Sequence, residues 1–272
     1  MRFLVLVLCL AALCAAWVGF ASGAKAASGI HPIVDAEIGC LLGGTVEGSW
    51  RSEEEMRPKV RGGERYRLYS LTGRLGQAVG SAVRLEPPGE THVVTLSPSP
   101  EKPEGVVGVC GEWDALPRSV KQQSTSQKVY QDAVREILRT RGLPVAPVGL
   151  TQVLRVDLEG DGKEEVLLSA TTPKSGYPGV TRRRGDYSFV ALRSIVNGKV
   201  QTSILKGGFC LKDEGFESGC PYEYRVLAVL DLDGDGVMEV LVRWRYYEGI
   251  GAAAYVVKGG KARQVFSGGS GA

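Results

Sequence analysis

The chain has 272 residues, a formal net charge of +3 and 43% hydrophobic residues. That length suits one large domain or two small ones, and a charge so near balance argues against nucleic acid or an anionic membrane as partner. With 37 glycines and one good helix pattern, the many short apolar runs predict strands joined by turns.

Residues 1–26 read as a signal peptide. Arg2 opens a positively charged start, Phe3 to Phe20 is an apolar run, and Ala24-Lys25-Ala26 forms an A-x-A cleavage site before Ala27. The prediction is a secreted or periplasmic protein with no membrane span in the mature chain. The run is longer than a usual signal core, so a retained anchor is the competing reading. Cys14 follows Leu13 rather than a small residue, which argues against a lipoprotein site. Cys9 and Cys14 leave with the signal, and Cys40, Cys110, Cys210 and Cys220 remain. An even count in an exported chain predicts two disulfides. Three connectivities are open; the short Cys210–Cys220 loop closes most readily and leaves Cys40 with Cys110. Unpaired buried thiols are the alternative.

Residues 27–120 predict a small N-terminal β unit, with 28–37 as a lead-in. Tyr66–Leu71, Ser81–Glu86 and His92–Leu96 read as strands, separated by turns rich in Gly and Pro. Residues 121–145 hold a helix and a linker. Val129, Tyr130, Ala133, Val134, Ile137 and Leu138 share one face, predicting an amphipathic helix over 126–141 that Gly142 and Pro144 end.

Residues 146–272 contain an internal repeat. Val153–Val156 runs into the acidic segment Asp157–Glu165 and then Val166–Leu168, while Val226–Leu230 runs into Asp231–Glu239 and then Val240–Val242. Each copy continues into a predicted hairpin, Tyr187–Val196 with Lys199–Leu205 around Asn197-Gly198, and Ala252–Val257 with Ala262–Phe266 around Gly259-Gly260. The fold expected is mainly β with one amphipathic helix, the C-terminal half being two four-stranded repeats.

Ca²⁺ wants six to eight oxygens, which a chain supplies locally by alternating carboxylates around a sharp turn. In the second acidic loop, Asp231, Asp233 and Asp235 stand at positions 1, 3 and 5 and Gly236 permits the bend. The Val237 carbonyl and Glu239 complete the predicted set. The first loop offers Asp157, Glu159, Asp161, the Lys163 carbonyl and Glu165. Its longer Glu159 and the charge on Lys163 predict weaker binding. A solvated acidic turn is the alternative for each. Position 12 is Leu168 or Val242 rather than the bidentate Glu of an EF-hand.

The segment Asp231-Leu-Asp-Gly-Asp-Gly-Val-Met-Glu239 before a strand resembles the calcium loop of FG-GAP or VCBS repeats, found in integrin-type propellers and bacterial exported proteins. The resemblance covers two loops closely and about 115 residues loosely. It implies a propeller-like arrangement of the repeats and a bracing role for calcium. The chain has no Phe-Gly-Gly-Ala-Pro element, and a propeller has four to eight blades where two repeats are visible.

Other signals are weaker. His31 and His92 read as surface residues. Ser203-Ile-Leu-Lys206 matches S-x-x-K but lies in a strand pattern. Arg182-Arg183-Arg184, near Tyr177 and Tyr187, could contact an anionic partner. Trp244, Tyr246 and Tyr247 alternate with Arg243 and Arg245, one set packing inward and the other facing a sugar or peptide. The expectation is a non-enzymatic calcium-binding protein whose partner is a protein or glycan of the cell envelope. A hydrolase with paired carboxylates is the alternative.

Overall fold

The computed structural model describes residues 25–87, 91–172, 183–212 and 222–271. The protein is mainly β, as expected, and its strands form three antiparallel sheets. The first sheet comprises β1 (Ile30–Asp35), β2 (Cys40–Val46), β3 (Ser49–Arg51), β4 (Arg65–Ser70), β5 (Gly73–Gly80), β6 (Arg84–Glu86), β7 (Thr91–Val93), β8 (Leu96–Ser97) and β9 (Val107–Cys110). Its spatial order is β6-β7-β2-β1-β9-β4-β5-β8, with β3 also on β2. A short helix α1 (Glu53–Met56) follows β3, fixed by a capping box in which Ser52 and Glu55 satisfy each other's backbone N–H groups.

The second sheet runs β10 (Lys121–Gln122), β11 (Leu150–Val156), β12 (Glu165–Thr171), β13 (Tyr187–Val196) and β14 (Lys199–Phe209). The third is a four-stranded meander, β15 (Glu223–Leu230), β16 (Glu239–Tyr246), β17 (Gly249–Lys258) and β18 (Lys261–Gly271). Each predicted repeat is thus an antiparallel meander, and the first recruits β10 from the linker as a fifth strand. The amphipathic helix α2 (Lys128–Thr140) lies inside the expected range.

Burial explains the stacking. The third sheet is apolar on both faces and lies between the other two. Val229, Val240, Val242 and Tyr255 pack against Leu154, Leu167 and Val190 of the second sheet. Leu230, Leu241, Ala252 and Ala254 pack against Ile33, Leu42 and Val109 of the first. Helix α2 covers the outer face of the second sheet through Tyr130, Val134 and Leu138. A side chain at Gly43 would meet Phe266 of β18 at 2.8 Å and the Arg51 carbonyl at 2.7 Å, so this glycine marks where β18 crosses β2.

Several expectations need correction. Residues 28–37 are not a lead-in, since β1 pairs with both β2 and β9. The run Ser81–Glu86 contributes only β6, and His92–Leu96 is split between β7 and β8. Cys40 and Cys110 are free thiols, so they form no bridge. Strand β1 lies between the two strands that carry them, which sets the backbones roughly 9–10 Å apart against the ~7 Å that a disulfide spans. They also point to opposite faces, Cys40 packing with Ile33 and Leu42 and Cys110 with the cluster of Val34 and Leu41. Cys210 is buried and disulfide-bonded; its expected partner Cys220 lies outside the described residues.

Burial raises the thiol pKa of Cys40 and pushes that of Cys110 up to about 11. Both should therefore resist alkylation in the native protein and react together once it unfolds without reductant. Peptide mapping that recovers a Cys40–Cys110 crosslink contradicts this.

Candidate metal centre

The two acidic loops occupy equivalent places, the first joining β11 to β12 and the second joining β15 to β16. In each, the closing glutamate is the first residue of the outgoing strand, Glu165 opposite Val156 and Glu239 opposite Leu230. The backbone cage is the same. The position-1 carboxylate accepts two glycine N–H groups, Asp157 from Gly160 at 2.7 Å and Gly162 at 2.9 Å, Asp231 from Gly234 at 2.7 Å and Gly236 at 3.0 Å. The closing glutamate accepts the N–H of position 2, Leu158 at 3.0 Å and Leu232 at 2.8 Å. All four glycines have φ between +73° and +84°, which a side chain would strain.

The loops also touch. The Met238 N–H donates to the Leu158 carbonyl at 2.8 Å. Arg118 donates to the carbonyls of Asp157 at 2.5 Å, Leu158 at 2.9 Å and Gly236 at 2.7 Å, so one guanidinium clasps both turns. Trp113 Nε1 donates to the Asp231 carbonyl at 2.8 Å. No sequence pattern announced Arg118 or Trp113, because their partners are main-chain carbonyls some 40 to 120 positions away.

With the same cage, the two loops treat their remaining oxygens differently. In the second, one oxygen each of Asp231, Asp233 and Glu239 lies within 4.8 Å of the others, and all three residues are buried. Burial, opposed by the glycine N–H bonds, pushes the pKa of Asp231 up to about 6. Burial and then the charge of Asp235 raise Asp233 to about 7. Glu239 is raised well above the ordinary carboxylate range by burial and by Asp233. The nearby Arg118 lowers Asp231, but by less than burial raises it. Asp235 accepts the Val237 N–H at 2.7 Å and shares a side-chain hydrogen bond with Asp233, so it stands beside the buried three rather than among them. Buried oxygens in this number, on a loop that already fixes their directions, fit a hard divalent cation.

The first loop forms no such group among the described residues. Glu159 turns away to accept the Gly259 N–H at 2.9 and 3.1 Å. The Lys163 ammonium sits 2.7 Å from Asp161, and that hydrogen bond holds the exposed Asp161 carboxyl below its ordinary pKa. The Lys163 ammonium therefore neutralises one of the carboxylates expected to bind a cation. Asp157→Ala should strand three backbone donors, those of Gly160, Asp161 and Gly162, and cost roughly 1–2 kcal/mol. It should leave any calcium-dependent rise in melting temperature intact. Melting curves of the variant with and without Ca²⁺ check both parts.

The weaker candidates are dispersed. His31 lies on β1, its ring nitrogens bonded to the Cys110 and Ser28 carbonyls at 3.0 and 2.8 Å. His92 is 8% exposed, with Nδ1 3.9 Å from Glu53, and is not the surface residue expected, whereas His31 is half-buried. Ser203 and Lys206 lie on β14. Tyr177 and Arg182 are outside the described residues. In the alternating segment Arg243 turns inward, 1% exposed against Asp35 and Glu37, while Arg245 reaches Glu37 from a half-exposed position. Trp244 and Tyr246 stack with Tyr222 on the other face, while Tyr247 is 56% exposed.

No family model matches the chain, and neither a curated protein nor a solved structure does. Among the described residues, no helix is long and apolar enough to cross a membrane.

Proposed function

We propose that this is an exported, non-enzymatic β protein whose second acidic loop holds one Ca²⁺ as a structural brace. One observation carries this reading: three carboxylates, Asp231, Asp233 and Glu239, are buried together where their mutual repulsion and lost hydration call for a cation or for protons. Asp235 and the Val237 carbonyl complete the oxygen set named by the resemblance to FG-GAP and VCBS loops. The loop sits where β15 and β16 of the central sheet meet Trp113 and Arg118, so a cation there would bind the three layers together. The carboxylates are largely spent on the backbone of their own loop, which suits bracing better than proton transfer. On this reading a protein or glycan of the envelope is the partner, met by the surface the brace holds in shape.

Calorimetric titration tests the metal. One Ca²⁺ per chain is expected, with a dissociation constant on the order of 10⁻⁴–10⁻³ M, and weak replacement by Mg²⁺, which demands a tighter octahedron. Absence of any binding heat at millimolar Ca²⁺ overturns the assignment.

A further inference from the structure

The segment before β1 is tied to the metal loop. The Ala27 N–H donates to the Asp233 carbonyl at 2.7 Å. Next to it, a Cβ on Gly234 would meet the Ala27 methyl at 3.2 Å and the Trp113 ring at 3.0 Å, so the glycine leaves room for both. Ser28 and Gly29 are fixed in turn, Ser28 through His31 Nε2 at 2.8 Å and Gly29 through the Glu47 N–H at 2.8 Å. Ala27 is also the residue that follows the Ala24-Lys25-Ala26 cleavage pattern.

We infer that processing of the chain seats the new α-ammonium of Ala27 against the second acidic loop, as a built-in cation that the uncut chain lacks. Hydrolysis adds one water across the Ala26–Ala27 amide. The Ala26 carbonyl leaves on the released leader as a carboxylate, and the Ala27 nitrogen becomes an ammonium with three N–H donors in place of one. The nitrogen need not move, because its place on the Asp233 carbonyl is already made. What changes is charge: a neutral donor becomes a cation on the residue whose carboxylate is buried with those of Asp231 and Glu239. The exposed Lys25 departs with the leader, and the new positive charge lies at the loop. Arg118 already holds the loop through the Gly236 carbonyl, and the ammonium gives it a second cationic neighbour. The attraction is exerted next to buried carboxylates, where screening by water and salt is weak.

This rests on the export reading but not on calcium, and the test separates them. A chain beginning at Ala27 with a free amine is compared with the same chain acetylated at Ala27. Acetylation keeps one N–H for the Asp233 carbonyl, restores an acyl group where Ala26 stood, and removes the charge with the two further N–H donors. In chelator, the free-amine chain should melt a few degrees higher. In Ca²⁺ titrations it should bind several-fold more weakly, since ammonium and metal repel. Intact mass of the native protein should place its first residue at Ala27. Coincident melting curves in chelator overturn the charge role whatever calcium does, and a native chain beginning elsewhere overturns the processing step.

Discussion

Arg243→Ala is expected to unfold the protein more easily than any surface change, costing about 3–5 kcal/mol, the usual penalty for breaking a buried ion pair. Arg243 on β16 is 1% exposed and reaches across to Asp35 of β1, 0% exposed, and to Glu37, which Arg245 also grips at 2.7 Å. These contacts join the first sheet to the third. Removing the guanidinium leaves Asp35 buried without its partner. Burial already raises the pKa of Asp35 despite Arg243, whereas at Glu37 desolvation is outweighed by Arg243, Arg245 and Arg225 together, which hold the carboxyl below its ordinary value. The melting point should fall by about 10 °C or more. Arg135→Ala serves as the control, because Arg135 pairs with Asp132 on an exposed face of α2, and such pairs contribute less than about 1 kcal/mol. Urea denaturation of both variants decides it; equal midpoints remove the ion cluster from the account.

The second large effect concerns pH in the metal-free protein. Asp231, Asp233 and Glu239 have folded-state pKa values raised above their unfolded ones, so the native state holds more protons than the unfolded chain between roughly pH 4 and 7. Stability must then fall as pH rises through that window, the reverse of the usual carboxylate case. Over the whole window the loss is on the order of a few kcal/mol. Asp233→Asn, which keeps the shape but not the charge, should flatten the slope and raise the melting point in chelator at pH 8. The same substitution should abolish the calcium response. Chelator-treated melts from pH 5 to 8 measure both; a wild-type protein that gains stability with pH across this range contradicts the prediction.

How much of this was legible in the sequence depended on range. The hairpin turns Asn197-Gly198 and Gly259-Gly260 stand where expected, because two-residue turns are local events; β13 keeps its expected bounds, while β14, β17 and β18 run four, three and five residues further at their far ends. The loops were legible for the same reason, since their cage is made within ten residues. The first sheet was legible only in part, its β character and β4 being expected but its central strands not. Strand β2 is buried along most of its length and shows no alternation, while its Gly43 and Gly44 look like a turn. They are glycines because β18 and β1 approach there, a contact made by distant parts of the chain. Arg243 and Arg245 alternate with aromatics as a surface strand would, and only the placement of Asp35 and Glu37 accounts for the burial of Arg243. Likewise the unequal fates of the loops hinge on details beyond the motif: Glu159 finds the Gly259 turn of the other repeat, and Trp113 and the Ala27 segment bury only the second loop.

The central claim is that the second loop holds calcium to brace the fold, and melting at pH 8 in chelator against millimolar Ca²⁺ tests it most directly. At tenfold excess over the dissociation constant, binding to the native state alone adds about 1.4 kcal/mol, a shift of a few degrees for a chain of this size. Wild type and Asp157→Ala should both show that shift, and Asp231→Ala should not. Wild-type curves that coincide with and without Ca²⁺ would mean that the buried carboxylates are accommodated without a metal ion, and the calcium brace would have to be abandoned.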